Sequence, residues 1–269
     1  MSRNFELLQQ IGKEQEMLYG SLPIGRPSSP DAKVDSNVDT MESPSVLEAM
    51  LPVGTPNLSL QGVELEEVTK LVQNIFLVPG NGAPRMVVFT GSDPGDGCSW
   101  ICAHAAEVLA SQVSGTVCLV DANLRSPSLH EMFSMPNHHG LSDALRQPGA
   151  MRNFVHRLSM PNLSLLTCGS QADDAHSLLA SDRMRLRLTE LRGEFDYILI
   201  DSPALSASSD GIALSSAADG VVLVLKANSS RRETARRDVE NLRAAKSRVL
   251  GAVLNQRTFP IPQSIYNKL

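Results

Sequence analysis

A glycine-rich segment at residues 90–100 has the composition of a loop that holds phosphate groups. It follows an apolar run at 86–90 and precedes a run of helix-forming residues. Backbone N–H groups of such a loop, and of the helix start behind it, bind phosphate oxygens. Against the complete pattern G-x-x-x-x-G-K-[ST], Gly97 and Ser99 are in place, Ser92 stands at the first position and Cys98 replaces the lysine. An ordinary strand–loop–helix turn is the alternative interpretation.

Two aspartates end apolar runs elsewhere in the chain. Asp121 closes the run at 117–121, and Asp201 closes the run at 197–201. In an open parallel sheet the ligand site lies at the carboxyl ends of the strands, where such side chains converge. Together with the loop after residue 90, they favour a nucleotide site over a plain turn.

The elements that must position these residues are visible as alternating short strands and helices. Continuous apolar runs predict strands at 86–90, 117–121, 163–167, 197–201, 220–225 and 249–254. Helical periodicity and composition predict helices at 63–77, 98–111, 176–192 and 230–246. Apolar strands alternating with helices indicate a mostly parallel sheet covered on both faces. The fold class expected is therefore a doubly wound α/β domain.

Composition excludes several classes of protein. The chain has 269 residues, 42% of them hydrophobic and 4% aromatic, so its core must be mainly aliphatic. A net charge of −5 and a pI near 5.7 argue against nucleic-acid binding through bulk positive charge. We expect neither a membrane span nor a secretory signal, because long apolar runs are absent. The 4 cysteines have neither zinc-site nor disulfide-scaffold spacing, so we expect reduced thiols in the cytoplasm.

The N-terminal part differs from the rest. Residues 1–60 carry most of the net negative charge, and 21–60 are rich in Pro, Ser and Asp. Such a composition buries too little apolar surface to fold, so we expect a flexible linker there. Residues 1–20 fit a short amphipathic helix that either docks on a partner or packs on its own domain. The predicted organisation is this helix, the linker, a phosphate-binding domain at 61–258 and a tail at 259–269.

Three motifs in order resemble those of the bacterial tyrosine kinase family. The first, P-G-E-G-K-S-T, is matched by residues 94–100, and the second, D-x-D-x-R-x-P, by residues 121–127. The Walker B motif, I-I-D-T-P-P, is matched by residues 199–204. The family comprises CpsD/CapB-like cytoplasmic kinases of capsule and exopolysaccharide export, and its P-loop fold is related to MinD and ParA. The resemblance covers about residues 60–256.

The resemblance implies a set of site residues and partners. It implies ATP or ADP with Mg²⁺ as cofactor, and catalytic roles for Asp121, Asp201 and Arg125. Ser99 and Asp121 would hold the metal, and Tyr266 would be the phosphorylated tyrosine. The implied nucleotide-binding residues are Gly95, Asp96, Gly97, Cys98, Ser99, Trp100 and Asn255. The implied partner is a membrane-embedded polysaccharide chain-length regulator, or co-polymerase, that recruits the protein to the inner face of the membrane. The resemblance leaves a homo-oligomer open and implies no nucleic acid.

The departures from the family pattern fall on catalytic positions. Cys98 replaces the Walker A lysine, Asn123 replaces the second aspartate of D-x-D, and Trp100 replaces a small hydroxyl residue. Losing the lysine removes a charge that steadies the phosphates. We therefore expect a catalytically impaired, kinase-like regulator of exopolysaccharide or capsule export.

Two other functions remain open at this point. The first is an active tyrosine autokinase in which Arg85 or Arg125 takes the place of the lysine. The second is a MinD- or ParA-like positioning ATPase, which is disfavoured because Asp93 stands where those proteins carry an extra lysine.

Single residues and one segment also have two interpretations each. Cys98, in the first turn of a helix, is either a reactive thiol of lowered pKa or a small residue tolerated after loss of the lysine. Trp100 either fills space beside the loop or stacks on a base or on a partner. The basic segment 230–248 is either a solvated helix face or a surface for anionic lipid or an acidic partner.

Overall fold

The computed structural model describes residues 60–78, 82–172 and 174–257. The predictions for the N-terminal helix, the linker, the tail at 259–269 and Tyr266 lie outside these residues, apart from Leu60 at the end of the predicted linker. Within the described residues, no helix is both long and apolar enough to cross a membrane.

The strands form one sheet. They are β1 (Met86–Gly91), β2 (Val117–Asp121), β3 (His156–Arg157), β4 (Leu163–Leu166), β5 (Tyr197–Ser202), β6 (Gly220–Lys226) and β7 (Val249–Asn255). Their order is β3-β4-β2-β5-β1-β6-β7. Every neighbouring pair is parallel except β3 with β4. The six strands predicted from apolar runs are confirmed, and only the two-residue β3 was missed.

Eight α-helices connect the strands in the described part of the chain. They are α1 (Val63–Phe76), α2 (Cys98–Gln112), α3 (Leu129–Met132), α4 (Leu141–Arg146), α5 (Ala175–Leu179), α6 (Asp182–Glu194), α7 (Asp210–Ala217) and α8 (Arg232–Ala244). A short 3-10 helix spans Met151–Asn153. The sequence did not predict α3, α4 or α7, which lack a clear helical period of apolar residues.

Alternate residues of each central strand face two separate cores. Val87 and Phe89 of β1 belong to the core under α1 and α2, whereas Met86 and Val88 belong to the core under α4, α6, α7 and α8. The whole of β1 is buried. This two-sided burial explains why the strands are continuous apolar runs, and it confirms the doubly wound α/β class.

The helix predicted at 176–192 is wrong as a single element. It is two helices, α5 and α6, because Ser181 begins a new one. The Ser181 hydroxyl accepts a hydrogen bond from the N–H of Met184 at 3.2 Å and donates to the Leu178 carbonyl at 2.6 Å. A serine that caps the next helix in this way interrupts the first.

Candidate functional site

The loop between β1 and α2 leaves helix N–H groups free for an anion. Gly97 is the N-terminal cap of α2 and provides no side-chain hydrogen bond to the first turn. Among the described residues, the N–H groups of Cys98, Ser99 and Trp100 have no hydrogen-bond acceptor. Free N–H groups at the start of a 15-residue helix suit phosphate oxygens.

The shape of this loop requires glycine and is held by the end of β7. Gly95 and Gly97 have φ values of 88° and 82°, which side chains rarely adopt. A Cβ on Gly97 would also collide with the Asn255 side chain. Asn255 donates a hydrogen bond from Nδ2 to the Asp96 carbonyl at 2.9 Å. The loop therefore has a fixed conformation with Asn255 beneath it.

Asp96 occupies the inside of the same loop. Its carboxylate accepts a hydrogen bond from the N–H of Asp93 at 2.9 Å, and the side chain is almost fully buried. The loop thus carries an acid in its interior and one exposed acid, Asp93, and no basic residue lies between 92 and 100. Its backbone suits an anion, but its side chains add no positive charge.

Two buried carboxylates lie side by side at the carboxyl edge of the sheet. Asp121 and Asp201 are register partners on the neighbouring strands β2 and β5, and both are fully buried. Asp121 accepts backbone hydrogen bonds from Asn123, Ser128 and Leu129 at 3.2–3.3 Å. Both carboxylate oxygens of Asp201 lack a hydrogen-bond partner in the described structure. The prediction that these strand ends converge is confirmed.

Burial weakens the ionisation of both acids. Burial raises the pKa of Asp121 to about 8, with a further contribution from the charge of Asp201. Burial also raises the pKa of Asp201 to about 6, although the adjacent Ser99 hydroxyl and Cys98 thiol oppose this rise. Two buried carboxylates on neighbouring strand ends favour a bound cation.

The donor set fits Mg²⁺ together with phosphate better than it fits a metal alone. The described residues contain no group of three or more His, Cys, Asp or Glu side chains that could hold a metal. Mg²⁺ usually takes one or two carboxylates and completes its shell with water and phosphate oxygens. The unpartnered oxygens of Asp201, beside Asp121 and Ser99, match that requirement.

Comparison with known proteins identifies relatives that are named as tyrosine-protein kinases. The chain is 32% identical to the tyrosine-protein kinase YwqD of Bacillus subtilis over 190 residues, which is 71% of this chain and 80% of YwqD. This chain belongs to the bacterial tyrosine-protein kinase family. It is also 25% identical over 201 residues to a putative tyrosine-protein kinase, CapB, of Staphylococcus aureus, covering 75% of this chain and 88% of CapB. No protein-family model matches the chain.

Solved structures agree with this family and with the fold. The chimerical protein CapA2B2 superposes with a TM-score of 0.69 at 25% identity, covering 74% of this chain and 87% of that chain. A ParA family ATPase from Chlorobium tepidum superposes with a TM-score of 0.51 at 21% identity, covering 65% of this chain and 75% of its own, which supports the fold alone. The predicted MinD/ParA-like P-loop architecture is confirmed.

Cys98, at the lysine position of this kinase-like loop, lies beside Asp201. Burial raises the pKa of the Cys98 thiol well above its ordinary value, and the charge of Asp201 raises it further. Burial and the Asp201 carboxylate both oppose a thiolate at Cys98, which disfavours the reactive-thiol interpretation. The position holds a neutral thiol where the family motif has a cation.

Trp100 and Arg125 make contacts that the kinase motifs do not reveal. The Trp100 ring packs edge-on against His104, with centroids 4.2 Å apart, and joins the core under α1 and α2. This supports the space-filling interpretation of Trp100. Arg125 Nε lies 3.7 Å from Oδ2 of the buried Asp210, whose Oδ1 contacts His176 Nδ1 at 2.6 Å. Sequence reasoning missed His176, since a lone histidine carries no signal.

Arg85 cannot replace the missing lysine. It precedes β1, at the amino edge of the sheet, whereas the loop follows the carboxyl edge. Its side chain donates to the carbonyls of Asp196 and Phe195 at 2.8 and 3.0 Å. The autokinase alternative that relies on Arg85 is therefore wrong on geometry, and Arg125 remains as the cation near the site.

Asp238 of α8 is a second residue missed from the sequence. It is buried, and its carboxylate accepts a hydrogen bond from the hydroxyl of Ser92, the first residue of the loop. Its position four residues before the buried Leu242 was the available signal, because residues i and i+4 share a helix face. This contact connects α8 to the loop after β1.

Proposed function

We propose that this protein is a cytoplasmic, kinase-like regulator of exopolysaccharide or capsule export that is impaired in phosphoryl transfer. The observation that carries the proposal is Cys98 at the lysine position, with the buried Asp201 beside it and Asp96 inside the loop. Family membership supports a kinase-like function, since the relatives are named as tyrosine-protein kinases. The loss of the cation supports impairment.

The proposed roles follow from the chemistry of each group. The N–H groups at Gly97, Cys98, Ser99 and Trp100, in the loop with Gly95 and Asp96, would hold the phosphates of ATP or ADP. Ser99 and Asp121 would hold Mg²⁺, with Asp201 beside them. Mg²⁺, when bound, supplies positive charge against the phosphates. Asn255 would contribute to nucleotide binding by holding the loop in place through its hydrogen bond to the Asp96 carbonyl.

Arg125 is proposed as the cation that faces the phosphoryl group during its transfer. It follows β2 and Asp121 in the chain, is half-exposed, and pairs with the buried Asp210. The other proposed feature of catalysis is phosphorylation of Tyr266, which lies outside the described residues. The proposed partner is a membrane-embedded polysaccharide co-polymerase that recruits the protein to the cytoplasmic face of the membrane. The protein would act on such a partner through binding and assembly more than through catalysis.

An active autokinase is the second candidate. It is favoured by one observation, the retained pair Asp121 and Asp201 at adjacent strand ends. Purification after expression and an intact mass measurement separate the two candidates. Phosphotyrosine supports the autokinase, whereas an unmodified mass supports impairment.

A lysine introduced at the loop tests the proposal directly. Cys98→Lys adds a charge-assisted hydrogen bond to phosphate, worth about 1.5–3 kcal/mol, or about ten- to hundred-fold in affinity. Titration calorimetry of Mg-ATP and Mg-ADP into the natural protein and this variant measures the change. We expect weak binding by the natural protein and tighter binding by Cys98→Lys.

The matched control has an unbranched side chain of similar length without charge. Cys98→Met should leave affinity close to that of the natural protein, because it adds no cation. An equal gain with methionine would contradict a phosphate site that lacks only charge. Micromolar binding by the natural protein would contradict impairment of the site itself.

A further inference from the structure

We propose that α8 carries a docking surface for an anionic lipid membrane. The surface, here called the arginine stripe, consists of Arg232, Arg236 and Arg243. It makes direct contact with lipid phosphates, independently of any protein partner. This contact lies beyond the proposed kinase-like function.

The three arginines share one face of the helix. Their spacing of four and seven residues places them within about 40° of one another around a helix of 3.6 residues per turn. Along the axis they span about 16 Å. All three are exposed to solvent. An extended row of guanidinium groups suits a plane of phosphates, since guanidinium pairs with phosphate in a planar, bidentate way.

Two of the three arginines of the stripe have no ion-pair partner within the described residues. Arg232 and Arg243 form no ion pair or side-chain hydrogen bond with any described residue. Arg236 pairs only with the exposed Glu240, at 3.0 Å. Further exposed basic residues without a partner in the described structure flank the stripe: Arg231, Lys246 and Arg248. A basic cluster on a chain of net charge −5 is a localised feature.

The helix that carries the stripe is packed firmly against the rest of the domain. Leu242 is fully buried in the core, and Asp238 is held by the Ser92 hydroxyl, so the opposite face of α8 cannot turn toward solvent. A rigid row of charges loses less conformational freedom on binding than a mobile one. This packing therefore favours binding through the stripe.

The chemistry of the stripe favours lipid over an acidic protein. Among the described residues, the exposed large apolar side chains lie on other elements: Val63, Leu65, Val78, Leu186 and Leu254. Specific protein interfaces usually rest on buried aromatic or aliphatic anchors. A lipid headgroup surface requires charge alone, with each arginine contributing about fivefold to partitioning.

Vesicle flotation of the full chain tests this surface. We expect binding to phosphatidylcholine vesicles that contain about 30% phosphatidylglycerol at about 50 mM NaCl, and its loss at about 500 mM NaCl. Vesicles of phosphatidylcholine alone should not bind. The combined variant R232A/R236A/R243A should partition about hundred-fold less.

The control changes net charge by the same amount elsewhere. R152A/R157A/R185A removes three exposed arginines from other elements, one of which, Arg157, lies on β3 at the opposite edge of the sheet. Its partitioning should stay within about twofold of the natural protein, and circular dichroism should show both variants folded. Equal losses in both variants, equal binding to neutral vesicles, or no binding to anionic vesicles would each overturn the proposal. The last result would leave an acidic protein as the ligand of the stripe.

Discussion

Two arginine-rich helices, α6 and α8, use the same side chain in opposite ways. Three arginines of α6 are bonded inward: Arg183 to backbone carbonyls, Arg187 to carbonyls and Glu190, and Arg192 to Asp219. In α8, the arginine stripe projects into solvent. The comparison teaches that a count of charges in the sequence does not reveal where the charge is used. Only the acceptors that surround each guanidinium decide that.

Arg187 is the strongest case of inward use. It is buried and donates to the carbonyls of Ala144, Gln147 and Gly149 at 2.6–3.1 Å, and to Glu190 at 2.8 Å. These bonds hold the segment after α4 against α6. An arginine with four acceptors acts as a structural crosslink between distant parts of the chain.

Replacing Arg187 should therefore have the largest effect on stability. Arg187→Met keeps the apolar stem but leaves the carbonyls of Ala144 and Gly149 without their donor, at a cost of about 3–5 kcal/mol. The Gln147 carbonyl keeps its hydrogen bond from Arg183. Urea unfolding followed by circular dichroism measures the change. Arg243→Met on α8 is the matched control and should alter stability by less than about 0.5 kcal/mol. Similar losses in both variants would remove the distinction between the two helices.

The sequence predicted more of the sheet than of these contacts. Runs such as 117–121 identify strands because both faces of each strand are buried, and this also placed Asp121 beside Asp201. The acceptors of Arg187 could not be predicted, because they are backbone carbonyls distant in the chain. The link from Asp238 to Ser92 was equally hidden, since it depends on how α8 packs over the loop. The break at Ser181 was missed because helical residues flank it on both sides.

The paired acids at the site extend the comparison to negative charge. Asp201 is buried like Arg187, yet no main-chain or cationic donor meets its carboxylate oxygens, and only the adjacent Ser99 hydroxyl and Cys98 thiol favour its charged form. Its pKa in the folded protein is about 6, above the ordinary 3.8. The folded state therefore favours the neutral acid. This favourable contribution is complete below about pH 4 and is lost as pH rises through about 6.

Asp201→Asn should accordingly stabilise the magnesium-free protein at high pH. At about pH 8 the gain should be about 2 kcal/mol, because no buried charge has to form, and it should nearly vanish at about pH 4. Urea unfolding in chelator at both pH values measures it. Ser202→Ala, on the next residue, is a control that should show no such pH dependence. A variant less stable than the natural protein at high pH would show that Asp201 is satisfied after all.

The smallest expected effect on stability comes from a substitution on α8 that should nevertheless change vesicle binding. Glu240→Gln removes the partner of Arg236, and because this pair is exposed the loss should be only about 0.3–0.5 kcal/mol. The same change frees Arg236 and raises the charge of the stripe, so partitioning onto anionic vesicles should rise about fivefold. Arg187 on α6 predicts the reverse pattern, a large stability effect without a gain in binding. If Glu240→Gln left vesicle binding unchanged, Arg236 would contribute nothing to the surface, and the contrast between α6 and α8 would rest on Arg232 and Arg243 alone.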